Sequence, residues 1–555
     1  MTRTRIDRWW GCALVLLAAC EAEPWLLPDG WPEGVGFEVE LSQDLAAVEA
    51  VVAPSPVQVG RTARCELLGL PDPVGVTARE WRLDGVVIGQ GETIEAPDAP
   101  GSELSCTPLV WEQGVAKAGR SGVAPIVARP VAGDVLLIVA DDVGVDRVGA
   151  YGVGVAPPPT PNLDALAAEG MRFNRVWATP SCSPTRATLL TGRHGFRTGV
   201  GQASAANDGY ALELEEVTLA EMLGRASERY SSAMVGKWHL SNFAVGHGQH
   251  VLDQGFDRQL GNLGNLRNEE AMDGSVQGYV NYEYVVDGVV GRRTDYLTSV
   301  EADDAIAMIT TLPSPWFVYL SFHAAHSPAH IPPRALYSGP TLVPGEANDL
   351  VRYDAMTEAM DAEIGRVLEV VPPETLVVVL GDNGTERNAV RGPYAADEVK
   401  LTMYEGGVRV PFLVRGPQVA VPGSTSDALI STVDLFPTLA ELAGVDLAQW
   451  FPDLKIDGVS FAPVLADPSH PGARDVVYTE RFLGNGFGPY TEHRRAVRDE
   501  RFKLIWDMAT GYQLYDLGLD WQEGEDLLQA EVLPADAEAA FERLAAELEG
   551  GRFRR

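Results

Sequence analysis

The chain has 555 residues, 46% of them apolar, and its 78 acidic against 43 basic residues leave a formal charge of -35. That length exceeds what a single hydrophobic core supports, so two or three domains are expected. The acidic balance excludes a nucleic-acid binder, which holds phosphates mainly through Lys and Arg. An anionic substrate would have to be met by a local basic pocket, because salt screens the net field beyond roughly 10 Å.

The N-terminus carries Arg3, Arg5 and Arg8, then an apolar stretch from Trp9 to Ala19. The stretch is shorter than the roughly 20 residues of a spanning helix and has the form of the apolar region of an export signal. It ends in Leu17, Ala18, Ala19 and Cys20, which resembles the lipobox of bacterial lipoproteins. That resemblance implies a signal peptide over residues 1–20 and acylation of Cys20. The product would be an exported lipoprotein of the cell envelope, on the periplasmic or surface face of the outer membrane, held by a lipid anchor alone. The alternative is an ordinary cleaved signal with an incidental Cys.

Residues 21–47 are rich in Pro, Gly and acids (EAEPWLLPDGWPEG) and form a tether. From 48 to 127, short runs of alternating apolar and polar residues between Gly, Pro and Asp predict strands and turns, with Cys65 and Cys106 flanking Trp81. This Cys, Trp, Cys order resembles an immunoglobulin-like all-β sandwich, and the resemblance implies a Cys65–Cys106 disulfide, which an oxidising envelope permits. Cys12 lies within the signal, and Cys182 has no obvious partner.

After residue 132 apolar runs of strand length alternate with helix-length amphipathic segments, which predicts an α/β domain with a mainly parallel sheet over 133–470. Four runs end in polar residues. VLLIVA is followed by Asp141 and Asp142, SSAMV by Gly236, Lys237, Trp238 and His239, WFVYLSF by His323 and His326, and TLVVVL by Gly381, Asp382 and Asn383. Continuous apolar runs suit strands buried on both faces, and ligands of open α/β sheets collect beyond the carboxyl ends of the strands. Each run alone is also explained by ordinary strand-ending turn residues. In 471–555, RRAVRDERFKLIW and YQLYDL predict two strands around a turn, followed by an amphipathic helix (ADAEAAFERLAAELEG), as a small α+β subdomain.

In CSPTRATLLTGR, Pro184 stands just before a helix-forming stretch, so Cys182 would lie near a helix N-terminus whose free N–H groups favour an anion. A lone Cys there suggests a thiolate nucleophile of lowered pKa, and the alternative is a buried structural Cys. The pattern of Cys182, Pro184, Arg186, Thr191, Gly192 and Arg193 resembles the signature of the formylglycine-dependent sulfatases, of the alkaline-phosphatase-like superfamily. Further motifs follow in order over roughly residues 133 to 530: VLLIVADDVGVD, GKWHL, HAAHSP, GDNG and KLTMYEGGVRVP.

The resemblance implies an alkaline-phosphatase-like fold and hydrolysis of a sulfate ester to alcohol and inorganic sulfate. A maturation enzyme would oxidise Cys182 to formylglycine, whose hydrate attacks sulfur with one hydroxyl and releases sulfate through the other. By position, Asp141, Asp142, Asp382, Asn383 and the modified Cys182 would hold a divalent cation. Oxygen ligands suit a hard ion, calcium in most of the family, with magnesium as the alternative. Lys237 and Lys400 would bind sulfate, and Arg186 would steady the nucleophile. His326 would protonate the leaving oxygen and His239 assist the release of sulfate. His323 and His330 are expected to be surface or supporting histidines. Thr185 stands where Ser is common, Gly381 replaces a usual Ser or Thr, and the hydroxyl that follows the second motif has no counterpart in GFDRQLGNLGNLRNEE. The expected substrate is a sulfated small molecule or glycan. Phosphonate monoester or phosphodiester hydrolysis is the alternative chemistry, and a catalytically silent binder of sulfated glycans is the non-enzymatic one.

Overall fold

A computed structural model describes strand segments between residues 49 and 127 and then residues 133–204, 209–266, 278–345, 348–550 and Phe553. The expected signal, lipobox Cys20 and tether lie outside the described residues. Two compact units are present, Met1–Pro130 and Val131–Arg555. No helix among the described residues is long and apolar enough to cross a membrane.

The first unit is built of strands alone among its described residues. Glu49–Ala53, Thr62–Leu68 and Thr93–Glu95 form one sheet, and Val57–Gln58, Gly122–Val127, Glu103–Glu112, Ala78–Leu83 and Val86–Gln90 form another, with Val115–Ala118 alongside Glu103–Glu112. Trp81 and Cys106 lie directly opposite each other on neighbouring antiparallel strands, and both are fully buried. Cys106 is disulfide-bonded. Cys65 sits in the other sheet, and its side chain lies outside the described residues.

The second unit centres on a ten-stranded sheet. Its strands are β1 (Val135–Ala140), β2 (Met171–Trp177), β3 (Ser231–Lys237), β4 (Arg258–Asn262), β5 (Tyr282–Val286), β6 (Val289–Arg293), β7 (Trp316–Ser321), β8 (Leu376–Gly381), β9 (Phe412–Arg415) and β10 (Ser424–Ser431). The order is β6-β5-β4-β3-β7-β1-β8-β9-β2-β10, with β5 and β9 running against the rest. The sheet is thus mixed, yet the four apolar runs form adjacent parallel strands β3, β7, β1 and β8 at its centre.

Period-two geometry divides each of these strands between two cores. Val135, Leu137 and Val139 of β1 face one core, with Ala187 and Leu190 from helix α1 (Cys182–Thr191). Leu136, Ile138 and Ala140 face the other, beneath α2 (Leu297–Thr311) and α3 (Asp349–Leu368). Because no strand at the centre is half solvated, polar residues can appear only at its end. That is where the site begins.

The C-terminal segment forms a four-stranded antiparallel sheet, β11 (Val477–Leu483), β12 (Glu492–Arg498), β13 (Phe502–Asp507) and β14 (Gly511–Asp516), covered by α5 (Ala535–Glu549). Two strands were expected here. The run RRAVRDERFKLIW is itself a hairpin, because Asp499 accepts from the N–H groups of Arg501 and Phe502 and turns the chain. β11 lacked any recognised signal, being a fully paired edge strand with charged residues at Glu480 and Arg481.

Gly381 closes β8 with a structural reason. A Cβ there would stand 2.2 Å from the carbonyl oxygen of Val143 and 3.1 Å from Cδ of Pro411, so the Ser or Thr usual at this place has no room. Hydroxyl support for the loop after β1 comes from Thr385, which donates to Asp146 (2.6 Å) and accepts from Gly144 N–H (3.2 Å). Gly381→Ser is therefore expected to destabilise the protein by about 1–3 kcal/mol, as overpacking against backbone does. Urea unfolding measures this, and an unchanged midpoint would contradict it.

Candidate active site

The parallel strands deliver their polar ends to one place. Asp141 and Asp142 follow β1, Lys237 closes β3 with His239 two residues on, His323 and His326 follow β7, and Asp382 and Asn383 follow β8. Helix α1 begins at Cys182, two residues before the expected start, and Pro184 falls within its first turn, where a missing N–H costs nothing. All ten residues of α1 are buried, which seals its N-terminus against the strand ends. Asp142 and His239 both sit at positive φ, 61° and 60°. Such backbone is held by its surroundings and gathers at functional sites. For Asp142 the holders are the side chain of Asp382, accepting from its N–H (3.1 Å), and Asn383 Nδ2, donating to its carboxylate (2.8 Å).

Three carboxylates here are matched by three cations. Asp141 pairs with Lys237, Asp142 with Lys400 Nζ (2.6 Å), and Asp382 with Arg186 (2.8 Å), which also reaches Asp141 at 3.4 Å. Arg186 further donates to the carbonyl of Lys237 (2.9 Å) and to Ser321, so its guanidinium ties α1, β3, β7 and the loop after β8 together. Burial disfavours ionisation of Asp141, but Lys237, His326 and Arg186 outweigh it and hold the carboxyl well below its usual range. Asp142 goes the other way: burial, against the pull of Lys400 and with repulsion from Asp141 and Asp382, pushes it up to about 7. Burial and the Asp141 charge likewise raise Asp382 against Arg186.

Cys182 Sγ lies 3.4 Å from Asp141 Oδ1. Burial first, then Asp141 and Asp382, push its thiol well above the ordinary range against the pull of Lys237 and Lys400. The thiolate suggested by a helix N-terminus is thus disfavoured: desolvation and two facing carboxylates outweigh the dipole. As an unmodified thiol, Cys182 is a poor nucleophile in this setting.

The histidines divide by their hydrogen bonds. His239 Nε2 contacts the carbonyl of Ser204 (3.0 Å) and so carries the proton, leaving Nδ1 as an acceptor that is buried without a hydrogen-bond partner among the described residues. Burial, then Lys237 and Arg186, keep this ring neutral. His326 Nδ1 contacts the carbonyl of Ser327 (2.8 Å), which turns Nε2 toward Asp142 at 3.8 Å. His323 is buried, with Nδ1 on Glu301 (2.6 Å) and Nε2 on the carbonyl of Gly264 (3.2 Å), so both its nitrogens are used in support. His330 is stacked on Tyr279, with ring centroids 3.9 Å apart, and burial lowers it to about 4. Both support their neighbours, His323 from a buried and His330 from a half-buried position.

Ligand atoms of Asp141, Asp142, Cys182 and His326 all lie within 4.8 Å of one another. Asn383 Oδ1 is buried with no hydrogen-bond partner among the described residues, while its Nδ2 donates to Asp142. These donors fit a hard divalent cation, which would relieve the repulsion among the carboxylates. Asp382 accepts from Arg186 and from the N–H of Asp142, each oxygen keeping a further lone pair, and His326, expected in proton transfer, stands among the converging atoms.

Several supporting residues had no signal in the sequence. Tyr279 OH lies between the carbonyls of His323 (2.7 Å) and His326 (2.9 Å) and clamps their loop. Helix α4 (Glu405–Val408) presses on Gly384, where a Cβ would meet the Gly406 carbonyl oxygen at 1.8 Å. Glu405 anchors that helix on Trp177 (3.0 Å), Arg498 (3.1 Å) and Lys503 (3.3 Å), which gives the fifth motif a structural purpose beyond Lys400. Above the cluster opens a cavity of about 180 Å³, lined by Cys182, His326 and Lys400 with Gln202, Asn265 and Arg481.

The sulfatase family model matches residues 133–445, and the model of the N-sulphoglucosamine sulphohydrolase C-terminal region matches 398–549. Human arylsulfatase A is 35% identical over 452 residues, 72% of this chain and 84% of its own length. Arylsulfatase G of Rattus norvegicus is 31% identical over 420 residues, 67% of this chain and 75% of its own. Among solved structures, Ps i-CgsB in complex with k-i-k-neocarrahexaose has a TM-score of 0.63 at 24% identity, covering 76% of this chain and 93% of that one. A structure solved with its substrate D-glucosamine-2-N,6-O-disulfate has a TM-score of 0.58 at 21% identity, covering 75% and 97%.

Calcium added to chelator-treated protein at about a hundred times its Kd is expected to raise the unfolding free energy by about 2.7 kcal/mol. A cation binds the ionised carboxylates, and Asp142 is protonated below about 7, so affinity should weaken as pH falls through neutrality, with protons released on binding. Calorimetry at about pH 6 and about pH 8 measures this. Equal affinity at both would contradict the assignment.

Proposed function

The chain belongs to the sulfatase family and hydrolyses sulfate esters, and on that premise we propose that the reaction runs at residue 182, converted from Cys182 to formylglycine. The observation that carries this is the place of Cys182: the first residue of a buried helix, its sulfur 3.4 Å from Asp141, in a cluster holding Lys237, Lys400 and Arg186. Its thiol is held in the neutral form, so a cysteine as such has no use here, whereas a modified side chain at the same position faces the cavity.

The formylglycine hydrate supplies two hydroxyls on one carbon: one would attack sulfur and carry the sulfate once the alcohol leaves, and the other, on losing its proton, would collapse to the aldehyde and break the carbon–oxygen bond to that sulfate. The divalent cation, calcium or magnesium, would be held by Asp141, Asp142, Asp382 and Asn383 together with residue 182, and supplies Lewis acidity toward the sulfate oxygens. The remaining work falls to this chain's own side chains. Lys237 and Lys400 place two fixed cations where negative charge grows on the transferring group; each such donor is worth on the order of 100 to 1,000-fold in rate. Arg186, tied by at least four partners, fixes residue 182 relative to the carboxylates. His326, as the imidazolium with Nδ1–H on the Ser327 carbonyl, donates a proton from Nε2 to the leaving oxygen and returns to the neutral ring, and neutral His239 accepts one at Nδ1 as sulfate departs.

The same proposal extends to the rest of the chain. Residues 1–20 would be a lipoprotein signal with Cys20 acylated, anchoring an exported enzyme to the bacterial cell envelope. The first unit would be an immunoglobulin-like sandwich closed by Cys65 and Cys106, a reading supported by Trp81 lying against a disulfide-bonded Cys106. Maturation would need a formylglycine-generating enzyme in the host. The substrate would be a sulfated small molecule or sugar.

The Cys182 peptide of the active enzyme should be lighter than its thiol form by the mass expected for conversion to the aldehyde, as read by mass spectrometry. Cys182→Ala should lose at least about 1,000-fold in kcat on 4-nitrophenyl sulfate with its unfolding midpoint nearly unchanged. A fully active enzyme with an intact Cys182 thiol would overturn the mechanism. A higher kcat/KM on 4-nitrophenyl phosphate or phenylphosphonate would overturn the preference for sulfate.

A further inference from the structure

Arg481 brings a fourth cation to the cavity, from a different part of the fold. It lies on β11 of the C-terminal sheet and lines the cavity beside Cys182 and Lys400. The strand is fixed there by backbone bonds: Phe482 N–H to the Gly201 carbonyl (3.2 Å) and Gly486 N–H to the Gly199 carbonyl (2.7 Å). Asn485 Oδ1 accepts from the N–H groups of Gly201 and Gln202 (3.0 and 3.1 Å). The position of Arg481 is therefore set by ordered main chain on both sides of the cavity wall.

Its charge is not matched. The residue directly opposite it on β12 is Arg494, and like charges facing each other across a ladder destabilise a sheet. Arg494 is satisfied on its far side by Asp507 (2.6 Å), its own partner on β13. Among the described residues Arg481 pairs only with Glu492, 3.8 Å away and half exposed, although its own side chain is just 15% exposed. Its Nε is buried with no hydrogen-bond partner among the described residues. Burial and the Arg494 charge both disfavour the guanidinium, so the site holds a cation at a cost. The other cavity cation, Lys400, is spent on Asp142 at 2.6 Å. A sequence that breaks a pairing rule inside a cavity, with no structural return, is the mark of a binding position.

Building on the sulfatase reading above, we propose that Arg481 binds a second anionic group of the substrate, a carboxylate or another sulfate, so that this enzyme prefers esters carrying two negative groups. A planar guanidinium can meet either group through two parallel N–H bonds. Asn265 and Gln202 also line the cavity and offer amide groups to the substrate.

The test is calorimetric binding of methyl sulfate and of a series of α,ω-alkanediol bis-sulfates with two to six carbons to the holoenzyme. At the best spacing the bis-sulfate should bind about tenfold tighter than methyl sulfate, the size of one charge-assisted hydrogen bond to a buried partner. In Arg481→Gln that ratio should fall toward one, and in Arg481→Lys, which keeps the charge but loses the fork, it should be intermediate. The unfolding midpoint of Arg481→Gln should stay level or rise, because the clash with Arg494 is relieved. The proposal is overturned by a ratio near one at every spacing in the wild type, by a ratio that survives Arg481→Gln, or by a clear loss of stability in that variant. Failure of the wild type to hydrolyse any sulfate ester would instead sink the sulfatase reading, and the binding ratios would still decide the role of Arg481.

Discussion

Three carboxylates buried at one point set the terms for the rest of this structure. Asp141, Asp142 and Asp382 are each fully enclosed, at 0 to 3% exposure, beyond the ends of two adjacent strands. Charge in such a place is costly unless opposed, and the fold answers with Arg186 from α1, Lys237 from β3 and Lys400 from the loop before α4. The elements that meet here do so because their charges must. The unevenness of the result, with Asp141 held low and Asp142 pushed up to about 7, shows that the balance is incomplete at neutral pH.

That incompleteness is useful. A cation held among the carboxylates would take over the part the lysines play, and Lys237 and Lys400, now paired with Asp141 and Asp142, would then be released toward an anion. Net charge across the chain is strongly negative, yet the cavity is lined by Lys400 and Arg481 with Lys237 and Arg186 beneath, so attraction is confined to within a screening length of the site. The acidic exterior and the basic pocket are thus independent features.

Much of this was legible in the sequence because the same physics produces both pattern and place. VLLIVA, WFVYLSF and TLVVVL are continuous apolar runs because both faces of β1, β7 and β8 are covered, so the first polar residue after each had to fall at the sheet edge. That pattern put Asp141, Asp142, Lys237, His326, Asp382 and Asn383 at or just beyond strand ends, and the motif resemblance supplied their roles. Lys400 and Cys182 do not lie at strand ends; motif resemblance alone found Lys400, while Cys182 also stood out as a lone Cys near a helix start. Contacts made with backbone escaped, although Gly381 itself stands out in the sequence as a departure from the motif. Tyr279 holds two carbonyls, Gly381 is shaped by the Val143 carbonyl, and neither contact leaves a periodic trace. The thiolate expected at Cys182 failed for a related reason: the helix start was visible, but the carboxylates facing it come from residues 41 and 200 positions away in the chain. Arg481 escaped as well, because like charges across a ladder are invisible until the strands are paired.

The central claim is that attack occurs at sulfur, from an oxygen borne by residue 182. Hydrolysis of a turned-over sulfate ester in water enriched with the heavy oxygen isotope tests it most directly. Label in the released sulfate and none in the alcohol is the predicted result; label in the alcohol would mean that the carbon–oxygen bond breaks, and would contradict the account.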